Sequence, residues 1–244
     1  MSVARLGSYG QILQTLRQLL AAAPSQSRPG TPSTSASPSA SPLGRDVFIS
    51  SFSLPAAPKA PLSADPNTFF ISQVLDSRWN PNATDGNTNC GPASLAMALK
   101  AVGLKPAGLV DATNSEAWID RTRMAMEGDM DDFKLTSDDD VMRGALASGA
   151  QAEKVYGLAG VEAAIAQGKP VVLAGNPVAY AGRFAERQYA KFDGGHFILV
   201  TGIQGDKVSI NDPQSRVGSL TISRAELSRY MAYQGWNVGV AVSK

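Results

Sequence analysis

Hydrophobic and polar positions divide this chain into three regimes. From Tyr9 to Ala23, the residues Ile12, Leu13, Leu16, Leu19 and Leu20 fall on one face at helical spacing, which predicts a short amphipathic helix. The tract that follows, PSQSRPGTPSTSASPSASPLG, is almost wholly Ser, Pro, Thr, Ala and Gly. Such a composition cannot bury a core, so the tract is expected to be disordered. Asp46 to Pro61 carries Val47, Phe48, Ile49, Phe52 and Leu54 among prolines and is expected to lie extended along the domain. The third regime, with regular apolar periodicity, begins near Asn67. The chain is thus expected to divide into an arm, residues 1–64, and a globular domain, residues 65–244.

Within the domain, Phe69 to Val74 predicts a short strand entering a loop with Trp79 and Pro81. Asp85 to Asn89 is turn and cap chemistry, and the apolar run Ala93 to Val102 predicts a helix stopped by Gly103 and Pro106. Pro92 fits only the first turn of that helix, where its missing N–H leaves nothing unpaired. A second helix is expected near Glu116 to Met126. A third, capped by Thr136 or Ser137, is expected to end at Gly149, and another spans Leu158 to Gln167. Beyond Pro170 the pattern turns to β. Val171 to Ala174 and His196 to Ile203 read as buried strands, and the second is linked through Gln204 to Lys207 with Val208 to Asn211 as a hairpin. A strand near Val217 to Ile222, a short helix from Ser223 to Met231 and a strand from Trp236 to Val242 complete the series. Helices followed by a mostly antiparallel sheet predict an α+β fold of two packed layers.

Composition adds limits. The 244 residues are 43% hydrophobic, enough for an ordinary core, and the net charge of +1 offers no global attraction for nucleic acid or an anionic membrane. No apolar run approaches the roughly 20 residues of a membrane span. Residues 1–64 hold Arg5, Arg17, Arg28, Arg45 and Lys59 against Asp46 alone, so the remainder is net acidic. This basic, Ser-rich arm reads either as a plain tail or as a targeting signal for secretion machinery or a chaperone. Gln11, Gln14, Arg17 and Gln18 interrupt its helix too often for the apolar core of a Sec signal peptide, so any export is expected to use a non-Sec route.

The candidate chemistry rests on single residues. One cysteine, Cys90, excludes an intrachain disulfide and a cysteine-cluster metal site. It lies at or just before the predicted helix N-terminus, where exposed N–H groups and the positive end of the dipole favour a thiolate. The only histidine, His196, follows Gly194-Gly195 at the start of an apolar strand. An imidazolium near a thiol lowers the thiol pKa, and the imidazole can then serve as general acid and base. Asp212 ends the partner strand of the hairpin, so the topology returns it to the His196 end of the sheet. There it could fix the imidazole tautomer, with Asn211 as its alternative. For an oxyanion, the Cys90 N–H is one donor; Gln73 is the candidate second, with Asn87 and Asn89 as competitors. Six aspartates between Glu127 and Asp140 invite a calcium reading, but they lack the glycine and terminal glutamate of an EF-hand. Asp138 to Asp140 read more simply as the acidic first turn of a helix. No metal or cofactor is expected.

Gln73, NCGPASLAMAL around Cys90, GKPVVL, GGHFILVTGI around His196 and VSINDP around Asp212 together resemble the papain-like bacterial cysteine peptidases of the double-glycine, bacteriocin-processing type. The resemblance covers roughly residues 67 to 244. It implies a papain-like fold with Cys90 as nucleophile, His196 as base, Asp212 as orienter and Gln73 in the oxyanion hole, acting on a peptide or protein. Gln73 stands farther from Cys90 than the family pattern leads one to expect. Transporter segments are not expected here, so a role in bacteriocin export is not implied. Two rivals share the apparatus. One is a glutamine deamidase or transglutaminase-like effector or toxin, which the basic arm would suit; the other is a silent papain-like module that binds peptide without cutting it.

Overall fold

The computed structural model describes residues 62, 65–75, 77–83, 88–130, 134–183 and 194–244. The predicted helix Tyr9 to Ala23, the Ser/Pro-rich tract and the segment Asp46 to Pro61 lie outside these residues. So do Asn87, Asp131 and Asp132.

Helix α1, Cys90–Ala101, is the centre of the domain: every residue from Gly91 to Leu99 is buried. A helix apolar on all sides must be covered on all sides. It packs on the sheet, on α2 (Ser115–Glu127) and on α3 (Asp138–Ala147). Trp118, Ile119 and Met126 of α2 and Val141 and Ala145 of α3 join its core. Local signals set the ends of these helices. Asn114 Oδ1 accepts from Ala117 N–H at 3.1 Å at the start of α2, and Gly128 ends it in the left-handed region at φ +78°. Ser137 and Asp140 form a reciprocal capping box at the start of α3. Ser137 is thus the cap, and Asp138 to Asp140 are the acidic first turn. Among the described residues no cluster of His, Cys, Asp and Glu is placed to hold a metal ion.

Among the described residues the sheet has six strands in the order β1-β6-β2-β3-β4-β5, every neighbouring pair antiparallel. They are β1 Gln151–Tyr156, β2 Val171–Gly175, β3 His196–Gln204, β4 Lys207–Asn211, β5 Leu220–Ser223 and β6 Val238–Ser243. Strand side chains alternate between faces, and both faces are covered. Val172, Ala174, Phe197, Leu199 and Val240 face the α1 layer. Val171, Leu173, Ile198, Val200 and Ile210 face a second layer built from α4 (Gly157–Ala166) and α5 (Arg224–Met231). Coverage on both sides explains why β2 and β3 read as unbroken apolar runs.

Two predictions fail. Phe69 to Val74 is not a strand: Pro66–Phe69 is a 3-10 turn, and the chain beyond it runs extended outside the sheet. Phe69, Phe70 and Ile71 are apolar because they pack into the α1 core, not because they join a ladder. Conversely, β1 was not foreseen. Among the described residues it pairs only with β6, and its positions are exposed or half-buried, so its QAEKVY sequence carries little apolar signal. The last two strands start later than expected: Val217 lies before β5, and Asn237, at φ +40°, is in the turn before β6.

Candidate active site

Cys90 is the first residue of α1, with Pro92 in the same turn. Its helix has no side-chain cap, because the Asn89 side-chain oxygen Oδ1 is engaged elsewhere: it accepts from Arg123 Nη2 at 2.6 Å. The first-turn N–H groups are therefore left for the sulfur. Gly91 N–H donates to it, as does Phe197 N–H of β3. The thiol is also hydrogen-bonded to the His196 side chain.

His196 opens β3 and Asp212 immediately follows β4. The hairpin turn Gly205-Asp206 between the two strands returns the chain so that both residues meet at one end of the sheet. His196 Nε2 lies 2.8 Å from Asp212 Oδ1, and both side chains are inaccessible to solvent. Asp212 Oδ1 also accepts from Gln214 N–H at 2.8 Å, and Oδ2 accepts from the Tyr180 phenol at 2.7 Å. With Nε2 engaged by the carboxylate, Nδ1 is the ring nitrogen open to Cys90.

Opposing effects set the charge states. Burial pushes the Cys90 thiol up, but the hydrogen bond and charge of His196, with the Phe197 and Gly91 N–H groups, outweigh it, and the net shift is downward. Burial pulls His196 down, but the charge and hydrogen bond of Asp212, reinforced by Cys90, raise it from 6.5 to about 10. Thiolate and imidazolium stabilise each other, which is the electrostatic condition for a reactive cysteine.

The remaining sequence candidates separate. Gln73 is buried, and its N–H donates to the Pro213 carbonyl at 2.8 Å. Ser72 Oγ donates to the same carbonyl at 3.1 Å, so the Gln73 segment is fastened to the turn that carries Asp212. Asn89 is buried behind the helix start against Arg123. Asn211 donates from Nδ2 to the Pro66 carbonyl at 2.9 Å, so the residue facing the imidazole is Asp212. Asn87 lies outside the described residues.

Sequence reading missed three residues around this assembly. Tyr180 and Tyr230 left no local signal, since their contacts cross 32 and 34 positions. Arg123 left a faint one: a charged residue one turn after Ile119, within the buried stripe of α2.

Residues 70–237, which include Gln73, Cys90, His196 and Asp212, match the Peptidase_C39 like family. Among solved structures, a double glycine motif protease from an AMS/PCAT transporter, in complex with the leader peptide, is 19% identical, covering 63% of this chain and 82% of that one at a TM-score of 0.40. The peptidase domain of Streptococcus ComA, a bifunctional ABC transporter of a quorum-sensing pathway, is 15% identical over 71% and 96% of the two chains, with a TM-score of 0.45. A C39-like peptidase from Bacillus anthracis is 15% identical over 73% and 96%, with a TM-score of 0.47. No protein of curated function matches the chain. With a papain-like α+β fold and a family match over more than half of its length, the chain belongs to the Peptidase_C39 like family.

Proposed function

We propose that this protein is a cysteine peptidase that cleaves a peptide or isopeptide bond through an acyl-enzyme on Cys90. The observation that carries this reading is the buried His196 Nε2 to Asp212 Oδ1 contact of 2.8 Å, with Cys90 hydrogen-bonded to the same imidazole.

In the proposed reaction the Cys90 thiolate attacks the substrate carbonyl carbon, forming an S–C bond and an oxyanion. The Cys90 N–H, an orphan donor of the first helical turn, and the Gln73 side-chain amide are the proposed donors to that oxygen. The imidazolium passes its proton to the leaving nitrogen as the C–N bond breaks. The neutral imidazole then takes a proton from water, which attacks the thioester and releases the acid and the thiolate. Asp212 holds the imidazole in one tautomer and stabilises its charged form. The preference for peptide bonds over glutamine side chains is supported by the family match.

The test is mass spectrometry of a peptide library treated with the wild type and with Cys90→Ala. The reading expects cleaved chains from the wild type alone. Intact chains bearing only deamidation, or cleavage that survives in Cys90→Ala, would contradict it.

A further inference from the structure

Asp212 is held by more groups than the reaction scheme uses. Oδ1 accepts from His196 Nε2 and from Gln214 N–H, each at 2.8 Å, which leaves Oδ2 to the Tyr180 phenol at 2.7 Å. Tyr180 is 2% exposed and Asp212 0%, so bulk water does not compete for that oxygen.

Tyr180 is also held in place. It sits at the kink, φ −135° and ψ 23°, of the 3-10 segment Pro177–Arg183. Arg183 Nε and Nη2 donate to the Glu226 carboxylate at 3.1 and 3.0 Å, and Arg229 Nη2 donates to the Ala179 carbonyl at 3.3 Å. Both anchors belong to α5. The Tyr180 ring packs on Tyr230 of the same helix with centroids 5.6 Å apart. Tyr230 in turn donates its phenol to the carbonyls of Leu173 and His196. One short helix therefore braces the backbone of His196 directly and the carboxylate of Asp212 through Tyr180.

We propose that Tyr180 is a positioning residue for Cys90, His196 and Asp212, its phenol holding Asp212 Oδ2 so that Oδ1 stays turned to the imidazole. This rests on the reading that those three residues perform the chemistry. A carboxylate that loses one of its buried donors is held less firmly, and one turned away from the ring gives less support to the imidazolium and, through it, to the Cys90 thiolate. That loss shows most at acid pH, where the unassisted thiol is protonated. The titratable groups that bear on Asp212 are His196 of β3, Tyr180, and Tyr230 of α5, with Cys90 of α1 coupled through the imidazole. Burial and the Asp212 charge push the Tyr180 phenol well above its ordinary range, so it remains a donor throughout the working pH range.

Tyr180→Phe keeps the ring and removes the donor. Cys90 is the only cysteine, so its alkylation by iodoacetamide reads the thiolate without any substrate. The proposal expects Tyr180→Phe to slow alkylation about tenfold near pH 5 but less than about twofold near pH 8, within the range known for supporting hydrogen bonds. In an Asp212→Asn background the same change has little effect on alkylation, because the charge that the phenol positions against the imidazole is gone. If Tyr180→Phe does not fold, 3-fluorotyrosine at position 180 keeps the hydroxyl and, as a stronger donor, moves the acid limb to lower pH. On a cleaved peptide, kcat falls in Tyr180→Phe and KM does not. A loss uniform across pH, an equal loss in the Asp212→Asn background, or an acid limb unmoved by fluorination would overturn the proposal. Failure to cleave any peptide would count against the peptidase reading alone, since alkylation still tests the coupling.

Discussion

Arg123 Nη2 donates to Asn89 Oδ1 at 2.6 Å and to the Thr88 carbonyl at 3.0 Å, so one buried guanidinium fixes the two residues that precede Cys90. Thr88 is a non-glycine residue at φ +29°, a conformation that persists only where its surroundings impose it. The other arm of the guanidinium pairs with Glu127 at 3.0 Å, both side chains 2% exposed. Arg123→Met would strand a buried carboxylate and release the loop, and is predicted to destabilise the fold by about 3–5 kcal/mol. Arg123→Lys keeps the charge but not the fork, and should destabilise by about 1–3 kcal/mol. Urea unfolding measures both; a change below about 1 kcal/mol in Arg123→Met would contradict this account of the loop.

Gly175 pairs with His196 across the β2–β3 ladder. A Cβ at position 175 would lie 2.3 Å from the Tyr230 carbonyl oxygen and 2.4 Å from its ring. Backbone cannot yield as a flexible side chain does, so Gly175→Ala is predicted to destabilise by about 3 kcal/mol and to displace the C-terminal end of α5, where Tyr230 contacts the site. Thermal unfolding reads the first effect and Cys90 alkylation the second. A wild-type melting curve would show that the approach is looser than described.

The pH dependence follows from the two shifts. His196 is raised, so its stabilising contribution is complete below its ordinary 6.5 and is lost as pH rises through about 10. Cys90 is lowered, so its contribution is present above the ordinary thiol value of 9.0 and is lost as pH falls through the lowered one. The ion pair therefore occupies the window between the lowered thiol value and about 10. His196 is the only histidine, so one set of imidazole NMR signals reports it. The predicted midpoint is far above 6.5 and falls in Cys90→Ala, which loses the thiolate. A midpoint near 6.5 in both proteins would refute the pairing.

What the sequence disclosed, and what it hid, divides along physical lines. β2 and β3 were legible because burial on both faces leaves an unbroken apolar run, and α1 because its flanks carry cap and stop residues. The meeting of His196 and Asp212 was legible because a two-residue turn fixes which strand ends coincide. β1 was hidden because an edge strand with one neighbour needs little apolar surface. Phe69 to Val74 misled because core packing and strand pairing draw on the same residue types. Tyr180 was beyond reach: its value lies in a contact 32 positions away that no local pattern marks.

Asp212→Asn preserves shape and removes the charge that orients and stabilises the imidazolium. It is predicted to lower kcat by about 10²–10⁴ with the fold retained, a range set by comparable carboxylates in other triads. Steady-state kinetics with circular dichroism checks this; a loss under about tenfold would assign the orienting role elsewhere.

Gln73→Ala removes the proposed second oxyanion donor and should lower kcat by about 10²–10³ with little change in KM. A rise in KM at constant kcat would make Gln73 a substrate-binding residue instead.

The central claim is that His196 holds Cys90 as a thiolate. The most direct measurement is the iodoacetamide alkylation rate of Cys90 near pH 6 in the wild type and in His196→Ala. A free thiol at its ordinary value of 9.0 is almost wholly protonated there and reacts slowly. The account predicts that the wild type reacts at least about tenfold faster than His196→Ala, whose rate falls to that of a half-buried, unassisted thiol. Equal rates in the two proteins would contradict it.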